Sequence, residues 1–77
     1  MSMKYHRKVK QYMERIGLLL VRNRNHYVYA GIVNDEKITI IFPKSPPDFS
    51  FAINLLNKDI RKEFHRVGAK NPPKLGR

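Results

Sequence analysis

The order of apolar and polar positions divides the chain into five elements. Tyr5, Val9, Tyr12, Met13 and Ile16 recur at the three-and-four spacing of one helical stripe, and Lys4, Arg7, Lys8, Gln11 and Arg15 fall on the opposite side. Ser2 suits the N-cap of this helix, and Gly17 suits the left-handed position that ends one. Three strands are predicted next. Leu18 to Arg22 is an apolar run bounded by Gly17 and by the turn residues Asn23 to Asn25. His26 to Val33 is rich in β-branched and aromatic residues, with His26, Val28, Ala30 and Ile32 on one face and Tyr27, Tyr29, Gly31 and Val33 on the other. Asn34-Asp35 reads as a two-residue hairpin loop before Lys37 to Phe42, where Ile38, Ile40 and Phe42 share a face.

A second helix is predicted from the Ser45-Pro46-Pro47-Asp48 start to about Arg66. Ser45 is read as its N-cap, with Asp48 in the first turn, where a negative charge suits the helix dipole. Phe49, Ala52, Ile53, Leu56, Ile60, Phe64 and Val67 form its apolar stripe, with Lys58, Arg61, Lys62, His65 and Arg66 on the far side. Phe51 and Leu55 stand four apart on its flank, either bordering a wide core or forming an exposed patch for a partner. The order helix, three antiparallel strands, helix predicts an α+β domain over residues 1–67 with both helices on one sheet face and the other face open. Residues 68–77 carry two prolines, no periodicity and cations only, and are predicted to be a flexible basic tail.

Charge narrows the function. Sixteen Lys and Arg against six Asp and Glu give the 77-residue chain a net charge of +10. That density attracts polyanions, with nucleic acid ahead of an anionic membrane or an acidic protein. The chain has no cysteine, hence neither a disulfide nor a thiolate metal site, and is compatible with a reducing, cytoplasmic setting. No apolar run approaches the length of a membrane span, and the basic N-terminus is not followed by the apolar segment of a secretory signal.

The chemistry-bearing side chains are sparse. His6, His26 and His65 fall in different elements without ligand spacing, so neither a metal nor another cofactor is expected. Each of the six acids has a structural account, and no paired-carboxylate site emerges. Ser2, Ser45 and Ser50 lack a recognisable base pattern. His26 stands out because it follows Arg22-Asn23-Arg24-Asn25 and opens a strand. An imidazole beside cations can move a proton at a ribose 2′-hydroxyl while the cations stabilise the phosphate. The plainer account is a strand histidine packed or hydrogen-bonded at the sheet edge. Tyr27 and Tyr29 stack unpaired bases if their face is open, and are packing residues if it is covered.

These residues also carry a resemblance. Gly17-Leu18-Leu19-Leu20-Val21-Arg22, the turn Asn23 to Asn25 and the strand start His26-Tyr27-Val28-Tyr29 are similar to the HicA family of toxins, whose fold is like that of a double-stranded-RNA-binding domain. Ser45-Pro46-Pro47-Asp48 and Asn54 look like the second-helix start of phage-encoded relatives. The resemblance implies metal-independent mRNA cleavage with His26 as the catalytic group, restraint by an antitoxin, and a bacterial or phage-infected cytoplasm. The family's Gly-Ser before the histidine is replaced here by Arg24-Asn25, and the turn is one residue shorter. Both departures flank the catalytic position. The expected function is therefore binding of nucleic acid, RNA ahead of DNA, through Lys4, Arg7, Lys8, Arg15, Arg22, Arg24, Lys58, Arg61 and Lys62. An active ribonuclease and an accessory protein bound to an acidic host protein are the alternatives.

Overall fold

The computed structural model describes residues 3–76, with side chains from His6 onward. The elements are α1 (Met3–Arg15), β1 (Leu19–Asn23), β2 (His26–Val33), β3 (Glu36–Pro43) and α2 (Phe49–Arg66). The sheet is antiparallel in the order β1-β2-β3. Helix α1 packs over β1 and α2 over β3, so both helices cover one face, as the sequence predicts.

Both helices end in the same way. Gly17, at φ +94°, closes α1 through Gly17 N–H to the Glu14 carbonyl and Leu18 N–H to the Met13 carbonyl. Gly68, at φ +75°, closes α2 through Gly68 N–H to His65 and Ala69 N–H to Phe64. Each pair of bonds satisfies carbonyls left over in the last turn. The start of α2 differs from the sequence reading. Asp48, not Ser45, is the N-cap, and its carboxylate accepts from the Phe51 N–H at 3.2 Å. Pro46 and Pro47 disfavour helical backbone at the residue before each, so the helix cannot begin until both are passed. Ser2, expected to cap α1, lies outside the described residues.

The β2–β3 loop is the expected two-residue hairpin. Val33 pairs with Glu36, and Asn34 and Asp35 have φ of 54° and 66°. Asn and Asp tolerate this left-handed backbone better than other non-glycine residues. Asn34 also donates from Nδ2 to the Val67 carbonyl at 2.6 Å, which ties the hairpin to the end of α2.

Register decides which face of β2 is covered. Phe42, Ile40 and Ile38 pair with Tyr27, Tyr29 and Gly31. Cross-strand partners share a face, so the apolar stripe of β3 carries the tyrosines inward. Tyr29 is 2% exposed at the centre of the core, and Tyr27 packs against that core. The base-stacking reading of these two tyrosines is thereby overturned. The uncovered face exposes Leu19, Ile32 and Ile41 instead.

The C-terminal segment is not the flexible tail expected from its composition. Residues 69–76 form an extended strap between the helices. Tyr12 Oη of α1 donates to the Pro73 carbonyl at 2.6 Å. On α2, Asn57 donates from Nδ2 to the Leu75 carbonyl and accepts the Leu75 N–H at Oδ1, at 3.0 and 2.9 Å. Leu75 is buried among core residues. An isolated leucine carries no periodicity, and the amide that grips it lies 18 residues away, so the composition alone points the other way. Arg77 is outside the described residues.

Candidate nucleic-acid interface

Strand β1 contains a bulge. Leu20 pairs with Tyr29, Arg22 pairs with Val28, and Val21 between them has no partner. An extra residue inverts the alternation of all that follow it. Without the bulge Arg22 would share the covered face with Leu20. With it, Arg22 stands in register with Val28, on the open face to which the alternation of β2 assigns His26. Arg24 lies in the loop between them. All three side chains are exposed, and His26 has no hydrogen bond or ion pair among the described residues.

The same end of the molecule holds a group that sequence reasoning missed. His6 of α1 donates from Nε2 to the Lys44 carbonyl at 2.6 Å; a carbonyl only accepts, so Nε2 carries the proton. Its ring lies edge-on to Tyr27, Phe49 and Phe42, with centroids 4.7, 5.8 and 6.0 Å away. Among the described residues Nδ1 is buried without a partner. Lys44 Nζ stands 5.4 Å from the centroid of the Tyr27 ring. This cluster fixes the start of α1 against the β3–α2 connection. No local pattern could have revealed it, because His6 and Lys44 are 38 residues apart.

The predicted cations divide into groups. Arg7, Lys8 and Arg15 are exposed on α1; Lys4 belongs to that helix, but its side chain is not among those described. Lys58, Arg61 and Lys62 are exposed on α2. Among the described residues only Lys10, with Glu14 at 3.4 Å, and Arg66, with Glu63 and Glu36 at 2.8 and 3.9 Å, have a carboxylate partner. The hydrogen bond from Arg66 to Glu63 raises the guanidinium pKa further. Glu36 and Glu63 are thus committed to Arg66 at the hairpin end, away from Arg22, Arg24 and His26.

Phe51 and Leu55 do not border the core. They are 60% and 44% exposed on the outer face of α2. Together with the strap they line a cleft of about 540 Å³ that also contains Lys58, Arg61 and Lys74. A second cleft, of about 600 Å³, lies on the other side of the strap beside Lys8 and Arg15. The strap therefore brings cations of α1, α2 and its own Lys74 to one side of the molecule.

Tyr29 and Tyr12 are core groups. Burial pushes the Tyr29 hydroxyl up to about 12 and raises that of Tyr12. Among the described residues no three histidine, aspartate or glutamate side chains gather as a metal site, and no helix is long and apolar enough to cross a membrane.

No family model, curated protein or solved structure matches the chain.

Proposed function

We propose that this protein binds nucleic acid, with RNA favoured over DNA on the resemblance drawn from its sequence. The observation that carries the reading is the unneutralised charge. Apart from Lys10 and Arg66, the cations of α1, the β1–β2 loop, α2 and the strap lack carboxylate partners among the described residues, and Glu36 and Glu63 are drawn to Arg66. Exposed cations without partners release counterions from a phosphate backbone, which is the main source of sequence-independent affinity.

Salt dependence tests this directly. Neutralising about four duplex phosphates gives a log–log slope of affinity against salt near −3 to −4. Charge reversal at Arg7 and Lys8, or separately at Lys58, Arg61 and Lys62, is expected to flatten that slope in proportion to the contacts each face makes. Absence of binding at low salt, or binding indifferent to salt, refutes the reading and leaves an acidic protein partner in its place.

The bulge favours a second, narrower reading in which the HicA resemblance extends to chemistry. Arg22 on the His26 face would stabilise a phosphate while His26 moves the proton of a 2′-hydroxyl. His26→Ala is then expected to lower cleavage of unstructured RNA by roughly 10²- to 10⁴-fold, with binding almost unchanged and EDTA without effect. Failure of the wild-type protein to cleave refutes this second reading and leaves the first intact.

A further inference from the structure

The cations of α2 and the apolar pair Phe51 and Leu55 enter the sequence reading as two unrelated sets, one for phosphates and one for a partner protein. In the tertiary structure Lys58, Arg61, Phe51 and Leu55 line one cleft, and the strap supplies its other wall; Lys62 lies outside it, beside β3. We infer that this cleft receives an unpaired nucleotide of single-stranded RNA, with its base against Phe51 and its phosphates among Lys58, Arg61 and Lys74; the inference rests on the nucleic-acid reading above and gives it a site.

Four observations support the assignment. The cleft, at about 540 Å³, falls within the range of about 300–1,000 Å³ common to small-ligand sites. Phe51 is 60% exposed, although a phenyl ring gains most from burial. A ring presented in this way offers a stacking platform, and only an unpaired base has a free face to lay on it. Among the described residues Lys58, Arg61 and Lys74 have no carboxylate partner, and no carboxylate lines the cleft. Asn54 and Asn71 also line it, and their side-chain amides make no hydrogen bond among the described residues. An amide offers a donor and an acceptor together, the pair needed at the edge of a base.

A duplex does not satisfy this arrangement, because its bases are already stacked and paired. An acidic peptide with an apolar side chain is the competing occupant. It would use the same cations, but it would need apolar area at Phe51 and not an aromatic face. The strap is part of the site. The paired hydrogen bonds between Asn57 and Leu75 hold it against α2 and so place Asn71 and Lys74 as the second wall.

The test uses the full chain and two labelled RNAs, an unstructured strand of about ten nucleotides and a perfect duplex of about sixteen base pairs. Affinities are measured by fluorescence anisotropy for the wild type, Phe51→Ala, Phe51→Leu and Phe51→Trp. Loss of one base–aromatic stack weakens binding by about 5- to 150-fold. Phe51→Ala and Phe51→Leu are expected to lose that factor on the single strand, Phe51→Trp to retain the affinity, and the duplex to respond less than about twofold to all three. Thermal melts of the variants are expected to match the wild type, because the ring lies outside the core. If wild type binds both RNAs and Phe51→Ala binds the single strand equally well, the cleft assignment is wrong while the nucleic-acid reading stands. If Phe51→Leu binds like wild type, apolar area and not stacking is what matters, and the assignment also fails. If wild type binds neither RNA at low salt, both readings fall together.

Discussion

Gly31 gives the sharpest test of how the sheet and α1 fit together. It sits in β2 on the helix-covered face, between Tyr29 and Val33, and its backbone is not in the left-handed region. Conformation alone would accept alanine there. Space does not. A methyl group built on Gly31 falls well inside contact distance of the Gly17 carbonyl oxygen and also meets Leu18 Cδ2 at 3.0 Å. The first obstacle is backbone, held by the two hydrogen bonds that close α1, so it cannot rotate away as a side chain could. Overpacking of this kind costs about 1–3 kcal/mol. For a domain of this size each kcal/mol lowers Tm by about 4–8 °C, so Gly31→Ala is expected to melt about 4–24 °C below wild type by circular dichroism. The sign is decisive, because a Gly→Ala change without strain stabilises by about 0.4–1 kcal/mol through the unfolded chain. A Tm equal to or above that of wild type would refute the close approach. Gly17→Ala provides the contrast. Nothing lies within 4 Å of a Cβ there, but φ is +94°, so its cost is conformational, about 1–2 kcal/mol. Since Gly31→Ala presses on the Gly17 carbonyl, the two changes together are expected to be non-additive.

The remaining expectations concern the caps, the strap and the tyrosines. Asp48→Ala is expected to lower stability by about 0.5–2 kcal/mol in urea unfolding, whereas Ser45→Ala, now three residues before the cap, is expected to leave the midpoint unchanged. Leu75→Ala removes the buried apolar anchor near the end of the strap; hydrogen exchange at residues 69–76 is expected to accelerate while the core of α2 stays protected, and uniform protection in both proteins would show that the strap is held elsewhere. Alkaline stability follows from Tyr29. Its folded pKa of about 12 exceeds the value of 10.0 expected in the unfolded chain, so the folded state keeps the proton longer, and the stability present below pH 10 is lost as pH rises toward 12. Chemical unfolding of wild type between pH 9 and ~12 is expected to show that fall, and Tyr29→Phe to flatten it; an equally steep fall in the variant would assign it to other groups.

Much of the architecture is decided by local pattern. The helical stripes, the glycine stop at Gly17, the Asn34-Asp35 hairpin and the three-strand order all follow from periodicity and turn chemistry, because each is settled by residues within a few positions of one another. The surplus of positive charge is likewise a property of composition. What composition and pattern leave open is every choice that depends on a distant partner. The covered face of β2 could have been either one until pairing with Ile38, Ile40 and Phe42 drew Tyr29 inward. The side on which Arg22 emerges depends on one unpaired residue, Val21, and a bulge leaves no mark on an apolar run that suits a strand in either register. The strap is held by Tyr12 and Asn57, 61 and 18 residues from the groups they bind. Only when those contacts form do Phe51, Lys58 and Lys74 become walls of one cleft, because what joins them is proximity in space and not spacing along the chain.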